Sequence, residues 1–133
     1  MRFGIFQSAQ WPEGTLQKVR LRDAIEQSVL AEELGFDSVF MTEHHFSRHG
    51  IVPDNLSMLS CLAAQTRRIR LGMAVSVLPL HDPVLLAESA ALCDVLSDGR
   101  LEFGIGAVTS GESSTASDYP WTSARRASRS PSP

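Results

Sequence analysis

Long apolar runs are missing from this sequence. No uninterrupted stretch approaches the roughly 20 residues of a membrane span. The start, MRFGIFQSAQ, has one basic residue and no apolar core, so it does not read as a secretory signal. Positive charge is not in excess either: 12 Lys and Arg stand against 15 Asp and Glu, a net charge of -3. With no basic stripe before the C-terminal tail, there is no electrostatic case for nucleic acid. Cysteine is scarce. Cys61 and Cys93 both sit in apolar, helix-like segments where buried free thiols are expected, and a protein of the reducing cytoplasm is the default. What is present is an ordinary globular composition, 43% hydrophobic and 20% charged over 133 residues, enough for one core-forming domain.

One unit repeats. Apolar strand candidates at Arg2–Ser8, Ser38–Thr42, Ile69–Val77 and Leu101–Ile105 follow one another at roughly 31 to 36 residues, the size of a βα unit. Between the first two, RLRDAIEQSVLAEELG has helical period. Leu21, Ala24, Ile25, Ser28, Val29 and Ala31 share an arc, opposite Arg22, Asp23, Glu26 and Glu33. Gly35 supplies a left-handed stop. Glu32 falls inside the apolar arc, where pairing and solvent exposure are both open to it.

The segments Leu56–Thr66 and Pro83–Leu96 are apolar or small around most of their circumference. Asp82 followed by Pro83 is an N-cap with proline at the first helical position. A helix apolar nearly all round must be covered on two sides. The sheet covers one side; the other needs a further layer or a partner subunit, such as a second copy in a homodimer, so an interface through 56–66 and 83–96 is expected there. Alternating strands and helices imply an α/β fold with a parallel sheet and right-handed crossovers. Four units are half of the eight that close a (β/α)8 TIM barrel.

Three of the four histidines fall within MTEHHFSRHG. In a parallel α/β array reactive groups gather at the C-terminal ends of strands. Glu43, His44 and His45 end one such strand, and His44 and His45 face opposite ways if it stays extended. Three readings are open: a metal site, a structural pair capping the strand, and a base acting on a cofactor or substrate. The metal reading needs three convergent ligands. His45 and His49 have i, i+4 spacing, but HFSRHGIVP is a poor helix. In IRLGMAVSVLPLHDP, small Gly72, Ala74 and Ser76 leave room for a flat ligand, and Gly72 suggests a close approach or a bulge.

Taken together, GFDSVFMTEHHF, IRLGMAVSVLPLHDPVLLAE and DVLSDGRLEFGIG resemble, in order and spacing, the bacterial luciferase-like monooxygenase family over about residues 1–106. The resemblance implies the N-terminal half of a (β/α)8 barrel and a reduced FMN cofactor, with a deazaflavin coenzyme in a sister branch. Reduced flavin and O2 would act on a small organic substrate. His44 matches the family's catalytic histidine, which serves in proton transfer near the flavin. Imidazole suits this work because its unperturbed pKa is near neutral. Glu43 and His45 match its motif neighbours and support the cofactor site. Ala74 and Val75 match a place where members often have a non-proline cis peptide under the flavin ring. Gly106 lies where the family's phosphate-binding loop begins. No metal is implied. A metal-dependent barrel hydrolase remains a competing class, and a non-catalytic half-barrel that self-associates through its apolar helices is another.

The family pattern continues after Gly106 with Arg-Gly; here Ala107, Val108 and Thr109 follow. A one-base frame change from Gly106 to about Asp118 permits Arg-Gly-Tyr-Gln and then Arg-Gly-Glu-Phe-Asp-Gly-Phe-Gly, a family-like string. Residues 107–133, rich in Ser, Ala, Pro and Thr, are therefore expected to be an irregular, out-of-frame tail on a truncated gene.

Overall fold

The computed structural model of the chain describes residues 1–107, so the expectations for the remainder of the tail lie outside the described residues. The elements run β1 (Gly4–Gln7), α1 (Gln17–Glu33), β2 (Ser38–Met41), α2 (Asn55–Gln65), β3 (Arg70–Met73) and β4 (Ser76–Val77). After these come α3 (Pro83–Leu96), β5 (Leu101–Glu102) and β6 (Ile105–Gly106). Strands β1, β2, β3 and β5 form one parallel sheet in that order, and β4 pairs with β6 in a second, two-stranded parallel sheet. Consecutive parallel strands joined by right-handed crossovers put every helix on one face. This is the first-half arrangement of a (β/α)8 barrel.

The strand expected at Ile69–Val77 is thus two strands, broken between Met73 and Ser76, where the peptide bond joining Ala74 to Val75 is cis. The strand expected at Leu101–Ile105 divides in the same way. The two breaks lie side by side, because Ser76 N–H donates to the Gly104 carbonyl at 2.8 Å.

Register assigns the faces. Val39 pairs with Leu71 and Met41 with Met73, and all four are buried against Leu59, Leu62 and Cys93 of the helical layer. The other face carries Phe6, Phe40, Gly72 and Glu102 in one row. Gly72 is explained there, since a Cβ at this position would run into the Phe40 ring. Phe6 on that face is 65% exposed, and Glu102 pairs with Arg70 of the neighbouring row.

Local chemistry accounts for the helix ends. Asp54 and Asp82 each accept two backbone N–H groups as N-caps of α2 and α3. Helix α1 closes with Gly35 at φ 86°: Gly35 N–H donates to the Glu32 carbonyl and Phe36 N–H to that of Ala31, a Schellman motif. The carboxylate of Glu32 turns to the loop before β3 and accepts the N–H groups of Arg67, Arg68 and Ile69. Burial raises its pKa, but those three N–H bonds outweigh burial and hold it below the ordinary glutamate value. Arg100 is buried and donates to the carbonyls of Ala63, Thr66, Ile69 and Ser97 and to Thr66 Oγ1, closing the C-terminal end of α2.

The apolar circumference of α3 is left partly open. Leu86, Ala90 and Cys93 are buried, whereas Val84, Leu85, Leu92, Val95 and Leu96 are exposed, Val95 to 74%. One expectation is corrected: both cysteines are free, but only Cys93 is buried. Cys61 lies on the outer arc of α2, away from the sheet that buries Leu59, Leu62 and Ala63. Among the described residues no helix is long and apolar enough to cross a membrane.

Candidate functional site

Strand β2 stops at Met41, and the next four residues build the site. Because the backbone is no longer extended, His44 and His45 do not diverge as alternation predicts. Both line one cavity of about 540 Å³, together with Trp11, Phe46, Arg48 and Ile51. His44 N–H donates to the Val52 carbonyl at 2.9 Å. Its ring lies over Gly50, where a Cβ would collide with it. The ring nitrogens of His44 have no hydrogen bond among the described residues and remain available to a ligand. The loop is tied down across the cavity: Trp11 N–H donates to the Arg48 carbonyl at 2.8 Å, and the Arg48 guanidinium lies 4.4 Å from the Trp11 ring centroid.

Glu43 faces away from solvent, its side chain 0% exposed. Oε1 is 2.8 Å from Nε2 of His45 and 2.8 Å from Nε2 of His81. Oε2 accepts from Ser76 Oγ and from Val77 N–H, both at 3.1 Å. Burial pushes this carboxyl up. The bonds from His45, His81 and Val77, with the electrostatic attraction of His81, outweigh burial and hold its pKa below the ordinary value.

Ala74, Val75 and Gly106 do not line the histidine cavity. They lie at the break between β3 and β4 and in β6. Val75 is 38% exposed, and a Cβ on Gly106 would overlap its side chain. Asn55 Nδ2 donates to the Val75 carbonyl at 3.4 Å, from the first turn of α2. Glu43 bridges the two regions, through His45 on the cavity side and through Ser76 and Val77 just beyond the cis peptide. Beside them the Thr42 hydroxyl is buried with no hydrogen-bond partner among the described residues.

His81 and Asn55 were not singled out from the sequence. Each side chain reaches its partner across 20 residues or more, a relation that no local pattern reveals. His49 stands apart on the surface, its N–H donating to Ser47 Oγ. Among the described residues no group of three or more His, Cys, Asp or Glu has metal-holding geometry. Glu43, His45 and His81 instead meet one another directly, with Glu43 at hydrogen-bond distance from each ring.

Comparison with known proteins places this geometry in a family. An uncharacterised protein, y4vJ, of Sinorhizobium fredii (strain NBRC 101917 / NGR234) is 44% identical over 86 residues, 65% of this chain and 24% of its own length. The alkanal monooxygenase beta chain of Photobacterium leiognathi is 34% identical over 107 residues, 79% of this chain and 33% of its own. The chain therefore spans a third or less of these relatives. Among solved structures, the monooxygenase RslO1 from Streptomyces bottropensis superposes with a TM-score of 0.83 at 31% identity, over 95% of this chain and 39% of that one. The oxygenating constituent of 3,6-diketocamphane monooxygenase of Pseudomonas putida, in complex with FMN, gives a TM-score of 0.83 at 24% identity, over 89% and 32%. A coenzyme F420-dependent tetrahydromethanopterin reductase from Methanopyrus kandleri gives 0.67 at 21%, over 86% and 29%. The last two likenesses speak to fold alone. The family model described as luciferase-like monooxygenase matches residues 1–127, past the boundary that the sequence pattern suggests at 106. By that match, the chain belongs to the luciferase-like monooxygenase family.

Proposed function

We propose that this chain supplies the flavin platform and the proton-transfer wall of a monooxygenase site. The observation that carries the reading is the junction of two regions: the His44-lined cavity and the break between β3 and β4 are joined by one buried carboxylate, Glu43. The residues fit a flat aromatic ring. Ala74, Val75 and Gly106 offer a surface with little side-chain bulk, and the Thr42 hydroxyl is a buried polar atom with no partner among the described residues. Ala74, Val75 and Gly106 would hold the ring, with Glu43 and His45 supporting the site. Reduced FMN, when bound, would supply two electrons to O2, so that one oxygen atom enters a small organic substrate and the other leaves as water. His44 donates or accepts a proton there, its ring nitrogens being unengaged and its ring fixed over Gly50. A reduced deazaflavin is the alternative coenzyme, since one solved neighbour depends on coenzyme F420 and another binds FMN.

The chain is further proposed to pair with a second copy through the exposed apolar residues of α3 and the groove of about 730 Å³ between α2 and α3. Two free cysteines fit a reducing, cytoplasmic setting. A non-catalytic, self-associating half-barrel is the second reading, favoured by the open sheet face around Phe6. Anaerobic titration with photoreduced FMN separates the two. The expected result is saturable binding that a reduced deazaflavin competes for on the same site. Association of copies without saturable flavin binding would establish the second reading.

A further inference from the structure

Two imidazoles share one oxygen atom. Nε2 of His45 and Nε2 of His81 each stand 2.8 Å from Oε1 of Glu43. An ionised carboxylate only accepts, so each of these nitrogens must carry a hydrogen. Glu43 is held ionised from its other side as well, where Oε2 takes the Val77 N–H and the Ser76 hydroxyl. No tautomer of either ring with a bare Nε2 satisfies this arrangement: a lone pair would face a carboxylate oxygen inside a buried cluster. Each neutral ring is therefore left with Nδ1 as its only accepting nitrogen. His45 also lines the cavity that His44 lines.

We propose that Glu43 is a positioning residue. It fixes His45 and His81 as Nε2–H and clamps Ser76 and Val77 to the end of β2. Nδ1 of His45 then becomes the ring nitrogen that a ligand in the cavity can meet. His81 is the second strut of the clamp, holding the turn before α3 to the same oxygen. The pocket wall and the chain segment beyond Ala74–Val75 are in this way one hydrogen-bonded unit, although 33 and 34 residues separate Glu43 from Ser76 and Val77. The tautomer assignment stands on this geometry alone; its bearing on turnover rests on the flavin-site reading above.

Imidazole 15N NMR on the full chain tests the proposal. In the wild-type protein both His45 and His81 are expected to show a protonated Nε2, as neutral Nε2–H rings or as imidazolium. A bare Nε2 on either ring overturns the proposal, and this measurement needs no variant to fold. In Glu43→Gln the amide cannot accept on both of its ends. Either the amide NH2 faces the rings and at least one switches to Nδ1–H, or the amide oxygen stays and the Val77 N–H loses its acceptor. The second case is read as a loss of at least tenfold in Val77 amide exchange protection. Unchanged ring signals together with unchanged Val77 protection also overturn the proposal. Reduced-FMN binding, measured in parallel, keeps the two readings apart. Flavin bound with a bare Nε2 refutes the clamp alone, whereas protonated Nε2 atoms with no flavin bound refute the flavin site alone.

Discussion

Glu43 and His81 stand 38 residues apart in the chain and 2.8 Å apart in the fold. The bond joins the end of β2 to the turn that leads into α3, and with the bonds to Ser76 and Val77 it makes the mouth of the sheet a single structure. The hydroxyl, backbone and imidazole groups involved come from segments that share no local pattern. Their common feature is one carboxylate that folding has taken out of water.

Acid should loosen this arrangement. Glu43 and Glu32 both have folded-state pKa values below the ordinary 4.5. For a carboxyl so lowered, the stabilisation is fully present above the unfolded value and is lost as pH falls through the folded one. The advantage of the wild type over Glu32→Gln in urea melts should be constant from pH 8 to about pH 5 and shrink below about pH 4.5. An advantage that grows on acidification would contradict the assignment of Glu32 as an ionised acceptor.

His44→Ala should leave the fold nearly intact, because the ring is half-buried over Gly50 and its nitrogens bond to none of the described residues. A change within about 1 kcal/mol in stability is expected. In any assembly that turns over, flavin-dependent oxidation should fall by about 100-fold or more, the usual worth of a general acid or base. Turnover equal to wild type removes His44 from the reaction.

Gly72→Ala should cost about 1–3 kcal/mol, since the new Cβ runs into the Phe40 ring. The same substitution in a Phe40→Ala background should cost much less, and chemical denaturation of the four proteins gives the coupling. An equal cost in both backgrounds would mean that the ring is not the obstacle.

Arg100→Met should destabilise by about 3 kcal/mol or more, leaving the carbonyls of Ala63, Ile69 and Ser97 short of a buried donor. Hydrogen exchange should show the C-terminal turn of α2 opening first. Loss of protection elsewhere with α2 unaffected would count against this staple.

The face of α3 offers a test of association. Val95→Asp and Leu85→Asp place charge among apolar side chains that are mostly exposed, 74% and 62% at these two positions. Sedimentation should change from dimer to monomer. A wild type already monomeric at tens of micromolar, or variants still dimeric, would exclude this face as the interface.

Local chemistry was legible in the sequence. Asp82–Pro83 marked the start of α3 and Gly35 the end of α1, because caps and stops depend on residues a few positions apart. The parallel sheet followed from repeat spacing. Tertiary relations were not legible. Glu32 looked like a flaw in an apolar arc because its three N–H partners lie 35 to 37 residues away. Cys61 looked buried because composition alone does not tell which arc of a nearly uniformly apolar helix meets the sheet. In β3 the residue pattern gave only small side chains and a bulge signal at Gly72, and family resemblance alone pointed to the cis peptide at Ala74–Val75. His81 passed unnoticed for the same reason as Glu32: its role comes from a partner brought near by folding.

The most direct test of the flavin platform is amide chemical-shift mapping on the full chain during anaerobic addition of reduced FMN. The expected result is a saturating set of shifts centred on Val75, Ser76, Gly104 and Gly106, with His44 and His45 at its edge. Shifts confined to α3 or to the sheet face around Phe6, or none that saturate, would contradict the assignment of this site to the flavin.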